Sequence, residues 1–281
     1  MTTQYSKQQI DRIRTTEVEI LDVIVELCDK FSLKYSLAYG TLIGAVRHRG
    51  FIPWDDDIDI IMPREDYERL KKLWKDSKMN DYYIHDYYTD INCTNNFMKI
   101  RKKHTTFYSS KGFDNPKMSG IFIDIFPADR VPKRKINRII QYCAAAINLL
   151  YSRQYTSGTK GLIGAGEKIL LKVPRGIQIS IRNKAERIKR HWNRNGCGYY
   201  VNAATIEECK KYFPENMFES FVELEFNGKK YKATAEYDGF LTLMYGNYMK
   251  LPPESEQVWG HSPEILDFEH NLDELRLSRK N

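Results

Sequence analysis

The run Asp55-Asp-Asp-Ile-Asp-Ile-Ile61, entered through Pro53 and Trp54, restricts this chain more than any other stretch. On a strand, residues two apart share a face, so Asp57 and Asp59 stand side by side while Ile58 and Ile60 turn toward a core. Two carboxylates that close repel each other. The arrangement becomes favourable with a divalent cation between them, and magnesium prefers one or two carboxylates plus substrate phosphate oxygens. Asp55 shares that face at the loop end. The competing reading is a solvated edge-strand face, because acidic clusters are common on surfaces.

A third acid, Asp124, interrupts the apolar run Ile121-Phe-Ile-Asp-Ile-Phe126. A lone ionised acid in a buried strand costs several kcal/mol, so Asp124 requires a metal, a cation or a proton, or else it is a structural acid capping a turn near Pro127. Together the two segments suggest a two-metal or metal-plus-base site handling a phosphoryl group. Gly40 and Thr41 stand at the mouth of an expected helix, where backbone N–H groups and a hydroxyl suit an anion. Arg47, His48 and Arg49 follow, either touching phosphate or forming a solvated turn. Lys99, Arg101 and Thr105 lie on an expected strand. Lys99 and Arg101 share a face there, which is either a phosphate contact or a solvated sheet face.

Elsewhere the chain alternates helical and strand patterns. Ile10, Ile13, Ile20, Ile24, Leu27 and Phe31 recur at helical spacing behind Ser6 as cap, predicting a helix over Ser6 to Phe31. Strands are expected at Tyr35 to Tyr39, Asp55 to Ile61, Tyr82 to Tyr88, Phe97 to Tyr108 and Ile121 to Phe126, with a helix from Pro63 to about Lys75. Two helices are expected at Lys133 to Tyr151 and Gly166 to Asn193, separated by the Gly- and Ser-rich Ser157 to Gly166. Asn227-Gly228 between alternating apolar residues marks a hairpin over Phe221 to Thr234, and a short helix follows near Ala235 to Tyr245.

The formal charge of +7 on 281 residues divides unevenly: Arg130 to Asn195 holds sixteen basic residues against Glu167 and Glu186, leaving the remainder at −7. Such a segment makes a local field for phosphates or anionic lipid, or is a pair of solvated helices covering a core. Nucleic acid is not expected as a partner, since no recognition motif accompanies the charge. A mean hydropathy of −0.58 excludes a mostly disordered or fibrous chain. No secretory leader is legible at Met1 to Ile10, and the uncharged run Ile139 to Ser152 is shorter than the ~18 residues a membrane span needs, so a cytoplasmic protein is expected. The five scattered cysteines read as reduced thiols.

The run Gly40-Thr-Leu-Ile-Gly-Ala-Val-Arg-His-Arg-Gly-Phe-Ile-Pro-Trp-Asp-Asp-Asp-Ile-Asp-Ile60 resembles the signature of the LicD family of phosphotransferases, within the nucleotidyltransferase-fold superfamily, and also resembles fukutin-type pentitol-phosphate transferases. Pro63 to Tyr67, Lys99-Ile-Arg101 with Thr105, Ile123 to Pro127, and Tyr245 to Pro253 with His261 extend the likeness, which leaves the basic middle uncovered. Asn247 departs from it, standing where the family pattern usually has an acid.

The resemblance implies an α+β fold, a nucleotidyltransferase-like mixed sheet flanked by helices. With the helical and charge patterns it gives an expected catalytic core over 1–129, a basic helical insertion over 130–200 that the likeness does not cover, and a hairpin, short helix and tail over 201–281 completing the core. It implies Asp57 and Asp59 as Mg²⁺ ligands and Asp124 as the third acid, completing the metal site or drawing the acceptor's proton. Gly40, Thr41, Arg47, His48, Trp54, Lys99, Arg101 and His261 are implied around the donor. The activity implied is transfer of phosphocholine from CDP-choline to a sugar hydroxyl of a cell-surface glycan precursor of the teichoic acid or lipopolysaccharide type. Alternatives are glycerol phosphate or ribitol phosphate as the group moved, or an Asp-x-Asp sugar transferase. A choline head group needs aromatic faces, and Trp54 is the candidate nearest the acids in sequence, set against a plain packing role. Acceptors built on a lipid carrier would bring the basic segment to an anionic membrane, with Lys133, Arg134 and Lys135 as the contact.

Overall fold

The computed structural model describes residues 5–77, 79–109 and 118–278. Helix α1 (Lys7–Lys30) starts where its sequence provides a capping box: Ser6 accepts from the Gln9 amide, and Gln9 reaches back to the Ser6 amide. Its buried stripe is Ile10, Ile13, Glu17, Ile20, Ile24 and Leu27, and an acid therefore sits inside the apolar face. The chain continues through β1 (Ser36–Leu37), α2 (Tyr39–His48), β2 (Asp59–Pro63), α3 (Arg64–Asp76) and β3 (Tyr82–His85). Next come β4 (Met98–Lys102), β5 (Thr106–Tyr108) and β6 (Phe122–Pro132). The basic segment carries α4 (Lys135–Arg153), α5 (Leu162–Leu171) and α6 (Arg175–Arg190). The remainder holds β7 (Gly196–Asn202), β8 (Phe213–Pro214), the hairpin β9 (Phe221–Phe226) and β10 (Lys229–Thr234), α7 (Tyr237–Tyr245), β11 (Ile265–Asp267) and α8 (Leu272–Ser278). The fold is α+β with a curled mixed sheet, as expected.

The chain divides into two compact units. The first takes residues up to His85, Met98–Phe126 and everything from Asn216 onward. In it the strand order is β1, β2, β6, β4, β3, with antiparallel pairing of β1 to β2, β4 to β6 and β3 to β4. Strand β2 is therefore internal, flanked by β1 and β6, and Ile58, Ile60, Ile61 and Met62 are fully buried. That removes the solvated edge-strand reading of the acidic run. Asn227 and Gly228 both take positive φ, as a two-residue turn of the right-handed twist requires.

The second unit takes Asp86–Phe97 and Pro127–Glu215. There the distal part of β6 pairs antiparallel with β7, and Val131, Ala145, Val201, Ala203 and Cys209 form a core. Helices α4 and α6 are joined by hydrogen bonds from Gln141 to the Lys189 carbonyl and from Asn148 to Glu186.

Several expected boundaries move. Phe97 to Tyr108 is two strands, because the chain turns at Lys103 and His104, with His104 at positive φ. The strand expected at Ile121 to Phe126 runs on to Pro132, so Asp124 is mid-strand and does not cap a turn near Pro127. The helix expected from Gly166 to Asn193 is two, α5 and α6, because Pro174 lacks the N–H that a continuous helix needs. Nor is the basic segment merely solvated. Lys189 is fully buried, bonded to Glu186 at 2.8 Å and to the Ala203 carbonyl, and buried Arg182 lies 3.6 Å from the Tyr87 ring centroid. All five cysteines are free thiols, and no helix among the described residues is long and apolar enough to cross a membrane.

Candidate active site

The site is built where β2 begins, beside β6. The Asp124 amide donates to the Ile58 carbonyl at 2.8 Å, which sets Asp124 next to the Asp57–Asp59 run. One oxygen from each of Asp57, Asp59 and Asp124 falls within 4.8 Å of the others. Asp57 and Asp59 are half-buried and Asp124 is buried. Burial, then the neighbouring acids, hold the Asp59 carboxyl well above the usual carboxylate range. Asp57 is raised as well, chiefly by burial. Asp55 is pushed up to about 8 by burial and by Asp57, to which it is hydrogen-bonded. The raised carboxyls of Asp55, Asp57 and Asp59 mark a place rich in negative charge, and the all-oxygen set of Asp57, Asp59 and Asp124 suits Mg²⁺. The residues thus fit the ion that the resemblance implies.

One cation of the chain already faces the cluster. Lys99 Nζ donates to both oxygens of Asp124, at 2.6 and 2.9 Å, and lies 3.5 Å from the centroid of the Phe122 ring. The β4–β6 register pairs Lys99 with Asp124 directly. Arg101, two residues on, is fully buried: its Nε donates to His85 Nδ1 at 2.9 Å and its Nη1 to the Gly120 carbonyl at 2.7 Å. A solvated sheet face is excluded for both. Lys99 meets the acids, whereas Arg101 braces the strands. Thr105 also braces, giving its hydroxyl to the Lys102 carbonyl and accepting the Ile121 amide.

Helix α2 aims its first turn at the same place. The Thr41 hydroxyl accepts the Asp59 amide at 2.7 Å, so this threonine fixes the start of β2. A Cβ on Gly40 would lie 2.6 Å from Asp55 Oδ2, so only glycine permits the carboxyl to approach the helix this closely. Arg47 and His48 are not brought to the acids. They occupy the last turn of α2, about 10 Å along the axis from Gly40. Arg47 donates to the Tyr248 carbonyl at 2.7 Å and to His48 Nε2 at 2.9 Å. Trp54 is half-buried in the turn before Asp55.

His261, far along the chain, does reach the site. Its ring lies edge-on to Phe107 and Phe122, with Nδ1 3.3 Å from Asp56 and 3.9 Å from Asp57. Burial alone lowers its pKa, but the Asp56 hydrogen bond and the charge of Asp57 outweigh that, and the net shift is upward.

Three contributors escaped the sequence reading. Asp56, fully buried, accepts from the Tyr5 hydroxyl at 2.5 Å and from the His261 amide at 3.2 Å. Arg14 clamps the acidic loop by donating to the carbonyls of Ile52, Pro53 and Asp55. Glu17 is buried, and burial together with Asp57, Asp56 and Asp55 pushes its carboxyl far up. Its place in the apolar stripe of the first helix was a signal available without coordinates.

Residues 32–142, which include every acid of the cluster, match the family described as LicD/FKTN/FKRP, nucleotidyltransferase domain. Over 263 residues the chain is 32% identical to the lipopolysaccharide cholinephosphotransferase LicD of Haemophilus influenzae, with 88% of this chain and 94% of that protein covered. The chain belongs to the LicD family. LicD-type chains are phosphotransferases, and this one is an enzyme of that class. Two uncharacterized Rickettsia proteins share shorter stretches. The one from R. typhi is 38% identical over 85 residues, 28% of each chain. The other, from R. prowazekii, is 29% identical over 133 residues, 40% of this chain and 49% of that protein.

Proposed function

We propose that this LicD-family enzyme moves phosphocholine from CDP-choline to a sugar hydroxyl of a cell-surface glycan precursor, with Mg²⁺ held by Asp57, Asp59 and Asp124. The observation that carries the reading is the convergence of three carboxylates and Lys99 on one end of an internal strand. Similarity along most of the chain to a lipopolysaccharide cholinephosphotransferase supports the head group and the acceptor class.

Bound magnesium would neutralise charge on the donor diphosphate and orient its oxygens. Lys99 presents an ammonium already stripped of much of its water, at the place where negative charge grows as CMP departs. Asp124 holds that ammonium by two hydrogen bonds. The acceptor hydroxyl attacks the distal phosphorus in line, the P–O bond to CMP breaks, and the hydroxyl proton passes to a base. Gly40 and Thr41 contribute the first turn of α2 to the phosphate side. Trp54 offers an aromatic face for the quaternary ammonium.

The test is CMP release from CDP-choline, CDP-glycerol and CDP-ribitol, each with a glycan acceptor, with Mg²⁺ and with chelator. Release from CDP-choline that needs Mg²⁺ is expected. Preferential use of either polyol donor would replace the head group, and full activity in chelator would remove the metal assignment.

A further inference from the structure

Helix α5 reverses the ordinary arrangement of a surface helix. At 100° per residue, Ala165, Ile169, Leu162, Gly166, Leu170 and Ile163 fill one contiguous arc of about 160°. That arc faces out: Leu162 is 93% exposed, Ile169 68% and Ile163 67%. Gly164 is the helix's one buried residue among those described, seated against the Thr159 carbonyl at a distance that leaves no room for a Cβ.

The polar side fastens the helix down. Glu167 pairs with Arg153 at 2.7 Å and accepts from both the amide and the hydroxyl of Ser157. Glu167 is also the sole acid between Gln154 and Arg182 and is itself paired with Arg153, so it is the one acid near the exposed lysines Lys160, Lys168 and Lys172 in sequence. An apolar arc held outward by a polar anchor and edged by lysines is the pattern of a helix lying in a lipid interface.

We propose that α5 docks this protein on an anionic bilayer surface, its apolar arc entering the boundary between headgroups and acyl chains and Lys160, Lys168 and Lys172 meeting lipid phosphates. At ten residues the helix is about 15 Å long, which suits lying in the plane and excludes spanning. Charge selects lipid over a second copy of the chain. A two-fold contact through this arc would bring the lysines of both copies together, whereas anionic headgroups neutralise them. The expectation of a membrane contact at Lys133, Arg134 and Lys135 is thereby moved to a different helix, and it does not depend on which donor the enzyme uses.

The experiment is co-sedimentation of the full chain with phosphatidylcholine vesicles, plain or containing about one-third phosphatidylglycerol. Wild type is expected to pellet with the anionic vesicles and to be released by high salt. The double variant Leu162→Asp with Ile169→Asp, and separately Lys168→Gln with Lys172→Gln, should each lower the bound fraction about tenfold or more. Far-UV spectrum and CMP release should be unchanged in both, because these side chains are exposed. A tryptophan at Ile163→Trp should shift to the blue with anionic vesicles, which tests the site without disrupting it. Wild type remaining in the supernatant, undiminished binding by the Asp double variant, or no shift at Ile163→Trp would overturn the proposal. So would a lipid-free dimer in sedimentation velocity that the Asp double variant dissociates.

Discussion

Replacing Asp59 by Asn separates what the acidic cluster does for the fold from what it does for the chemistry. Asp59 oxygens lie within 4.8 Å of those of Asp57 and Asp124. At an effective dielectric of about 20, two carboxylates at that distance repel by about 3 kcal/mol. Lys99, bound to Asp124 at 2.6 Å, offsets one of the two repulsions, leaving the Asp57 pair as the net cost. A ceiling comes from protonation: a carboxyl driven to take up a proton at pH 7 costs at most about 1.36 kcal/mol for each unit above 3.8, or about 4 kcal/mol. Asn fills the same volume without charge. In chelator, Asp59→Asn is therefore expected to be more stable than wild type by about 2 to 3 kcal/mol, a rise in Tm of roughly 5 °C for a chain of this size. In Mg²⁺ the order should reverse, because wild type gains the binding energy of the ion and the variant largely does not. CMP release should fall at least about a hundredfold. The control is Asp124→Asn, which takes away the carboxylate that Lys99 donates to twice and should instead lose about 3 to 5 kcal/mol. Calorimetric scans of the three proteins with and without Mg²⁺ check all of this. An Asp59→Asn protein less stable than wild type in chelator, or one still stabilised by Mg²⁺ and still active, would refute the reasoning.

Other perturbations test neighbouring parts of the site. In a helix interior Ala is more favourable than Gly by about 1 kcal/mol, but at Gly40 the added Cβ would meet Asp55 Oδ2 at 2.6 Å, so Gly40→Ala should lower both Tm and the apparent Mg²⁺ affinity read from CMP release. Arg101→Lys keeps the charge and loses the fork that spans His85 and the Gly120 carbonyl; chemical denaturation should show a loss of about 1 to 3 kcal/mol. For pH, Asp55 has its carboxyl raised to about 8 in the fold against 3.8 in the open chain, so the native state binds more protons than the unfolded one between those values. Stability in chelator should accordingly fall as pH rises from about 4 to about 8 and then level off, and saturating Mg²⁺ should flatten the curve.

What could be read before any coordinates follows the range over which each physical rule acts. Alternation acts over two residues, so the grouping of Asp57 with Asp59, with Ile58 and Ile60 buried, was visible in one short run, although the strand expected from Asp55 begins only at Asp59. The same alternation turns Asp56 to the other side, where its partners are Tyr5 and His261, 51 and 205 residues away, and no local pattern announces them. Arg47 and His48 show the converse: they are close to the acids in sequence, but a rigid helix carries them to the far end of α2 from Gly40. Pro174 was a legible helix break that the strong apolar periodicity on either side concealed. Glu17 is the instructive case. Ile13, Glu17, Ile20 and Ile24 keep a helical spacing unbroken, so an acid stands where packing calls for a hydrophobe. Burial of that carboxyl is tolerable only if it is protonated or compensated, and Asp55, Asp56 and Asp57 all push it toward protonation. The first helix therefore sets a buried carboxyl with a raised pKa beside the acidic loop while Arg14, one turn earlier, ties the loop's carbonyls down. The negative charge of the acidic loop is thus met from the first helix by the Arg14 guanidinium, while Glu17 adds no further charge in its protonated form.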